Sequence, residues 1–160
     1  MSAFADELVV ERTIDAPRAV VWRVMTEHLP EWWCPEPWKA EPVALEWKSG
    51  GRFAIAMRGP GGEEHGGDGM LLEVVPETRL VFTNALGENW APQVPQPVAI
   101  VGRIEIADTG DGRTAYRASA RHWSEADTKA HAEMGFAEGW GICADQLAAL
   151  ATRMAEARDA

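Results

Sequence analysis

The sequence predicts a single α+β domain: a curved antiparallel sheet of seven strands, two short helices after the first strand, and one long C-terminal helix laid across the sheet. Three observations carry this. A length of 160 residues with 46% hydrophobic content suits one domain that buries roughly 68% of its unfolded surface in one core. Between positions 40 and 122, runs of strand length alternate with clusters of turn residues. After Ser124 the apolar period changes, and Phe136, Trp140, Cys143, Leu147, Leu150 and Met154 follow at steps of 4, 3, 4, 3 and 4, the spacing of one helix face.

In chain order, positions 8–15 carry Val9, Val10, Thr13 and Ile14 and read as the first strand. Asp15-Ala16-Pro17 reads as an N-cap with an early-turn proline, so a short helix is expected over 17–25. Pro30 interrupts its continuation and leaves one or two further helical turns within 28–33. Breaks at 49–51, 59–69, 76–78, 84–97 and 108–112 then bound six strands, expected at 40–48, 52–58, 69–75, 79–84, 98–107 and 114–122. Alternation of Phe53, Ile55 and Met57, of Met70, Leu72 and Val74, and of Val98, Ile100, Ile104 and Ile106 makes one sheet face apolar. The glycine-rich 59–69 segment is expected to be a flexible hairpin tip. Ser124, with Glu125 and Asp127 behind it, starts a helix expected to run unbroken to about Met154.

The formal net charge is −10, and no local cluster of Lys and Arg offsets it. Such a surface repels phosphate backbones and anionic lipid heads, so neither nucleic acid nor membrane is an expected partner. Cys34 and Cys143 have no CxxC or His/Cys metal spacing, so reduced thiols in a cytoplasmic protein are expected, with neither disulfide nor metal. Positions 1–7 show no basic leader, and apolar stretches such as 147–151 fall far short of the roughly 18 residues of a membrane span. Nucleophile-elbow, zincin, P-loop and dinucleotide motifs are missing from the sequence, so no cofactor is expected. Glu63, Glu64, His65 and Asp68 read as solvated charge, and Cys34 as an inert thiol. A monomer or homodimer is expected.

Composition hints at a chamber. Eight Trp stand against four Phe and one Tyr, which suggests a wide core or a cavity wall. The last strand alternates Tyr116, Ala118, Ala120 and His122 on one face with Ala115, Arg117, Ser119 and Arg121 on the other. Two inward alanines leave volume in a sheet that elsewhere bears Phe53, Met57, Met70 and Phe82. Gly135, Gly139 and Gly141 each cost a helix about 1 kcal/mol against Ala. Either close helix–sheet packing or room for a bound molecule explains them. His122 and His131 are the candidate polar groups, as satisfied rim residues or as acid–base groups. Arg12 and Arg103 either anchor an acidic ligand or point to solvent. The 86–97 loop, with Trp90, Pro92, Val94, Pro95 and Pro97, is either a lid over a cavity mouth with Trp90 as gate or a proline-stiffened surface loop.

Several motifs carry a family resemblance: Glu11-Arg12-Thr13-Ile14-Asp15-Ala16-Pro17 with Val21-Trp22, the pair Trp32-Trp33, Glu73-Val74-Val75-Pro76-Glu77-Thr78-Arg79-Leu80-Val81-Phe82-Thr83, Met134-Gly135-Phe136-Ala137-Glu138-Gly139-Trp140, and Asp145-Gln146-Leu147. Over about 8–154 the chain resembles the START-like, helix-grip superfamily called SRPBCC, in the branch similar to the C-terminal domain of the heat-shock-protein ATPase activator. Cys34 departs from the glycine that often follows the paired tryptophans, and Ala144 from a frequent leucine. The resemblance implies a Bet v-type helix-grip fold with a cavity between sheet and last helix. Relatives use that cavity for lipids, polyketides, hormones and other apolar molecules, and the fold hosts binders, cyclases and chaperone cofactors. The leading expectation is non-enzymatic binding of a small hydrophobic or amphipathic molecule by Trp33, Trp38, Phe53, Met57, Met70, Phe82, Trp90, Ala118, Ala120, His122, Phe136 and Trp140. One alternative is a cyclase- or hydrolase-type enzyme with His122 as general acid or base, helped by Tyr116 or His131. The other is a chaperone-associated stress-response module.

Overall fold

The computed structural model describes residues 6–95 and 97–159. Positions 1–5, part of the segment read for a leader, and Gln96 of the expected lid lie outside the described residues. The elements are β1 (Glu7–Ile14), α1 (Arg18–Glu27), β2 (Lys39–Leu45), β3 (Phe53–Arg58), β4 (Glu64–Gly67), β5 (Met70–Val75), β6 (Arg79–Thr83), β7 (Val101–Asp108), β8 (Thr114–Arg121), α2 (Glu125–Glu133) and α3 (Phe136–Asp159). Short 3-10 turns lie at Leu29–Glu31 and Glu88–Trp90.

All pairings are antiparallel, in a five-stranded sheet ordered β1-β8-β7-β6-β5 and a three-stranded sheet ordered β2-β3-β4. The two are stitched together where Gly50 N–H donates to Leu71 O (2.7 Å), Leu71 N–H to Gly51 O (2.9 Å) and Phe53 N–H to Gly69 O (3.0 Å). One curved surface results, and α1 and α3 lie in its hollow as the helix-grip fold requires.

The strand count is eight among the described residues, one more than expected. The extra strand, β4, falls in the supposed hairpin tip and pairs with β3 from Ile55↔Gly67 to Arg58↔Glu64. It is exposed along its length, so it carries no hydrophobic alternation to read. Gly66 in it serves close backbone approach, because a Cβ there would stand 2.3 Å from Ile55 O.

The C-terminal helix is also two helices rather than one. Gly135 has φ +95°, a left-handed conformation that ends α2 and turns the chain before α3. Ser124 does cap α2, its hydroxyl accepting from Asp127 N–H at 3.1 Å. In α1 the cap is Pro17, with no side-chain hydrogen bond, in place of Asp15. Strand β7 starts at Val101, because the side chain of Asn84 takes over the preceding pairing: its Nδ2 donates to Val98 O (3.0 Å) and its Oδ1 accepts from Ile100 N–H (2.9 Å). A bulge in β5 after Leu71 shifts the expected parity. Leu71, paired with Phe82, is fully buried in the main core, whereas Met70 is buried outside it.

Helix α1 buries Val20, Val21, Val24 and Met25. Near its end the Val24 carbonyl, one of the last four without an intrahelical partner, accepts from the indole N–H of Trp32 at 2.9 Å. Along α3 the fully buried positions are Ala144, Leu147 and Ala151. This stripe is rotated from the expected one because α3 packs on β1 and α1, where alanines permit close approach, and does not lie flat across the middle of the sheet.

Candidate functional site

Because α3 grips one side of the hollow, its N-terminal half stands away from the other, and a cavity of about 800 Å³ remains. Alternation on β3 turns Phe53, Ile55 and Met57 into it, β6 adds Phe82, β7 and the residues before it add Ile104 and Ile100, and β8 adds Tyr116. Trp33 enters from the segment after the first 3-10 turn, and Gly139, Trp140 and Cys143 come from α3. The Trp33 ring lies 5.2 Å from Phe53 and 5.6 Å from Phe82 in edge-on contacts, with Phe53 and Phe82 themselves 5.2 Å apart. Tilted and edge-on rings lock one another in place and leave a firm apolar wall.

Gln146 of α3 fixes that wall. Its Nε2 donates to Cys34 O (3.0 Å) and Trp32 O (3.3 Å), and its Oε1 accepts from Glu36 N–H (3.0 Å). The backbone on both sides of Trp33 is therefore held to the helix. Beside it, Arg12 on β1 reaches Asp145 Oδ1 at 2.8 Å, passing under Gly141, where an added Cβ would meet its guanidinium at 2.9 Å. Arg103 pairs with Glu105 instead.

Each of the three glycines has its own reason. Gly135 makes the turn, and Gly141 admits Arg12. A Cβ on Gly139 would meet nothing within 4 Å, so this glycine leaves cavity space open.

Polar groups gather at one mouth. Asp68, Asn84 and Gln93 line it, with Gln93 Nε2 donating to Asp68 O (2.8 Å) and Asn84 O (2.9 Å). Among the described lining residues there is no Lys or Arg. Burial pushes the Cys143 thiol up to about 12 and raises that of Cys34. Burial also lifts the Tyr116 phenol far above its ordinary value.

Of the residues expected at the site, Trp33, Phe53, Met57, Phe82 and Trp140 line the cavity, and Tyr116 joins them. Seven others stand elsewhere. Trp38 does not line the cavity but stacks at 5.5 Å on His65, which does, and Met70 is placed outside the main core by the β5 bulge. Ala118 and Ala120 are buried in the core without reaching the cavity. Trp90 is 61% exposed and rests against Gly50. The loop meets the cavity mouth through Gln93, Val94, Pro95 and Pro97 instead, so Trp90 does not gate it. Phe136 packs on Trp140 at 4.6 Å, beside His131.

His122 and His131 form a pair away from the cavity. A carbonyl only accepts, so His122 Nδ1–H donates to Asp6 O (2.9 Å), which leaves its Nε2 to accept from His131 Nδ1–H (2.8 Å). Burial, and secondarily the facing His122, lower the His131 pKa to about 4. Glu63, Glu64, His65 and Asp68 do not converge: Glu64 pairs with Arg58, Asp68 with Arg52, and His65 with the Trp38 ring. No helix among the described residues is long and apolar enough to cross a membrane.

Ile55, Ile104 and Cys143 had a sequence signal, lying on the alternating and helical faces already recognised. Cys34 and the clamp made by Gln146 had none, because they depend on how segment 32–36 meets α3, and Met134 had none because it sits at the end of α2 before the Gly135 turn.

A family model described as "Activator of Hsp90 ATPase homolog 1-like protein" matches residues 15–152. Among solved structures, a protein from Nitrosomonas europaea is 36% identical, covers 96% of this chain and 98% of its own, and superposes with a TM-score of 0.86. A protein from Arthrobacter aurescens is 25% identical over 93% of this chain and 87% of its own, with a TM-score of 0.80. One from Mycobacterium smegmatis, 23% identical over 91% and 90%, has the same fold with a TM-score of 0.75. None of the curated proteins matches.

Proposed function

Since the chain belongs to the Activator of Hsp90 ATPase homolog 1-like family, with its START-like fold, we propose that it binds a small hydrophobic or amphipathic molecule between the sheet and α3, without chemistry. The observation that carries this is the cavity of about 800 Å³ under Gly139, walled by Trp33, Phe53 and Phe82. Its volume lies in the usual range of small-molecule sites. A guest burying roughly 300 Å² of apolar surface gains about 7 kcal/mol before ordering costs, which is compatible with micromolar affinity. A binding role is favoured over acid–base chemistry by His122 because both its ring nitrogens are committed to partners, and because the cavity's thiols and phenol hold their protons; the histidine that does line the cavity, His65, stacks on Trp38.

The test is displacement of a neutral apolar fluorophore from the purified protein, with mass spectrometry of molecules that co-purify. Saturable one-to-one binding, lost when Gly139 is replaced by Leu, is the expected result. Failure of every neutral apolar probe to enter contradicts the proposal.

A further inference from the structure

One polar group in the apolar part of the cavity is left over. Tyr116 is only 3% exposed and lines the cavity, yet its hydroxyl makes no hydrogen bond to a described residue. Among the described residues, Arg52 Nε is the sole side-chain nitrogen or oxygen that is sealed from solvent and lacks a partner. The phenol oxygen, equally without one, is therefore not walled in but open to the cavity. A buried hydroxyl with no partner is destabilising, and cores rarely keep one that nothing fills. Its place is fixed in mid-sheet by Arg12 on β1 and Ile106 on β7, its cross-strand neighbours.

We propose that the Tyr116 hydroxyl is the polar anchor of the ligand, donating a hydrogen bond to a carbonyl-type oxygen of a neutral molecule whose apolar body rests on Trp33, Phe53 and Phe82. This rests on the cavity-binding reading above and names the class of guest: ketones, esters, amides or quinones with an aromatic or aliphatic body. A neutral phenol donates well, and burial keeps this one protonated. A carboxylate is disfavoured on three counts. The described wall holds no Lys or Arg, Asp68 sits at the mouth, and Arg12, the cation paired across from Tyr116, is drawn away to Asp145. An anion would be stripped of water with no counter-charge on the described wall, inside a chain of net charge −10.

The experiment compares 2-acetylnaphthalene, 2-ethylnaphthalene and 2-naphthoate on the full chain by calorimetry, in the wild type and in Tyr116→Phe. The expected result is that Tyr116→Phe weakens the ketone about five- to tenfold, the range of one hydrogen bond, and leaves the hydrocarbon unchanged. The wild type should prefer the ketone to the carboxylate. Equal ketone affinity in both proteins, or a carboxylate bound as tightly as the ketone, overturns the anchor while the cavity reading stands. If neither neutral probe binds the wild type, both fall. Should Tyr116→Phe fail to fold, the carbonyl infrared band of the ketone bound to wild type decides. A shift to lower wavenumber than in cyclohexane is expected, and an unshifted band overturns the proposal.

Discussion

Phe82 on β6 faces Gly102 on β7 across the sheet, and its ring fills the place a side chain would take: a Cβ on Gly102 would stand 2.3 Å from the ring's Cζ. The glycine thus lets an aromatic ring lie flat on the strand and form cavity wall. Gly102→Ala has to push that ring off its seat. Overpacking of this kind costs roughly 1–3 kcal/mol, and the displaced ring invades the cavity. A lowered denaturation midpoint together with weaker probe binding is the expected pair of results. An unchanged midpoint would show that the ring is not seated as described.

Gln146 makes three hydrogen bonds to the backbone around Trp33. Gln146→Ala removes them at a cost of about 1–3 kcal/mol and frees the Trp33 segment, so probe affinity should fall at least as clearly as stability. Gln146→Glu keeps the acceptor but sets a carboxylate oxygen against the Trp32 and Cys34 carbonyl oxygens, and it should be at least as damaging as Ala. Calorimetric titration beside urea unfolding separates the two effects.

Acid should weaken the fold through His131. Its folded pKa of about 4 lies below the ordinary 6.5, so the unfolded chain takes up the proton first as pH drops. The neutral His131 contribution is complete above pH 6.5, and it is lost as pH falls from 6.5 through 4, on the order of 2 kcal/mol in all. His131→Asn, which can still donate to His122 Nε2, should flatten the pH dependence of the urea midpoint in that window. A slope equal to that of the wild type would contradict the pairing.

The two thiols should be slow to alkylate. With its pKa near 12, Cys143 is about one part in ten thousand thiolate at pH 8, and burial raises Cys34 as well. Intact-mass measurement with iodoacetamide should find both largely unmodified in the folded protein and rapidly modified in urea. Equal rates in the two states would refute the burial of this wall.

Gly139→Leu tests the open space without disturbing the core. A helix gains by losing a glycine, by about 1 kcal/mol, and nothing lies within 4 Å of the new Cβ. The variant should therefore melt no lower than wild type while excluding the probes. Lower stability would mean that the helix and sheet meet at this point.

Much of the architecture was legible because it rests on periodic patterns. Alternation placed Phe53, Ile55 and Met57 on one face, and Ser124 with its acids marked the start of α2. Where pattern gave way to particular backbone geometry, the sequence was silent. Strand β4 has no apolar residue to alternate, and the β5 bulge reversed the parity of Met70 and Leu71 without a compositional sign. Gly135, Gly139 and Gly141 look alike in the sequence, and only the neighbours of each separate the turn, the open space and the close contact. The site divided on the same line. Wall residues carried by β3, β6 and α3 followed from periodicity, whereas the removal of His122 from the cavity depended on its hydrogen bond to Asp6 and its pairing with His131.

The central claim is that an apolar guest enters the space under α3, and the indole N–H signals of the protein read this most directly in a proton–nitrogen correlation spectrum. On titration with 2-ethylnaphthalene, the signals of Trp33 and Trp140, which line the cavity, should shift saturably while those of Trp22 and the exposed Trp123 stay in place. Shifts confined to Trp90 and Trp123, or no saturable shift at all, would contradict the account.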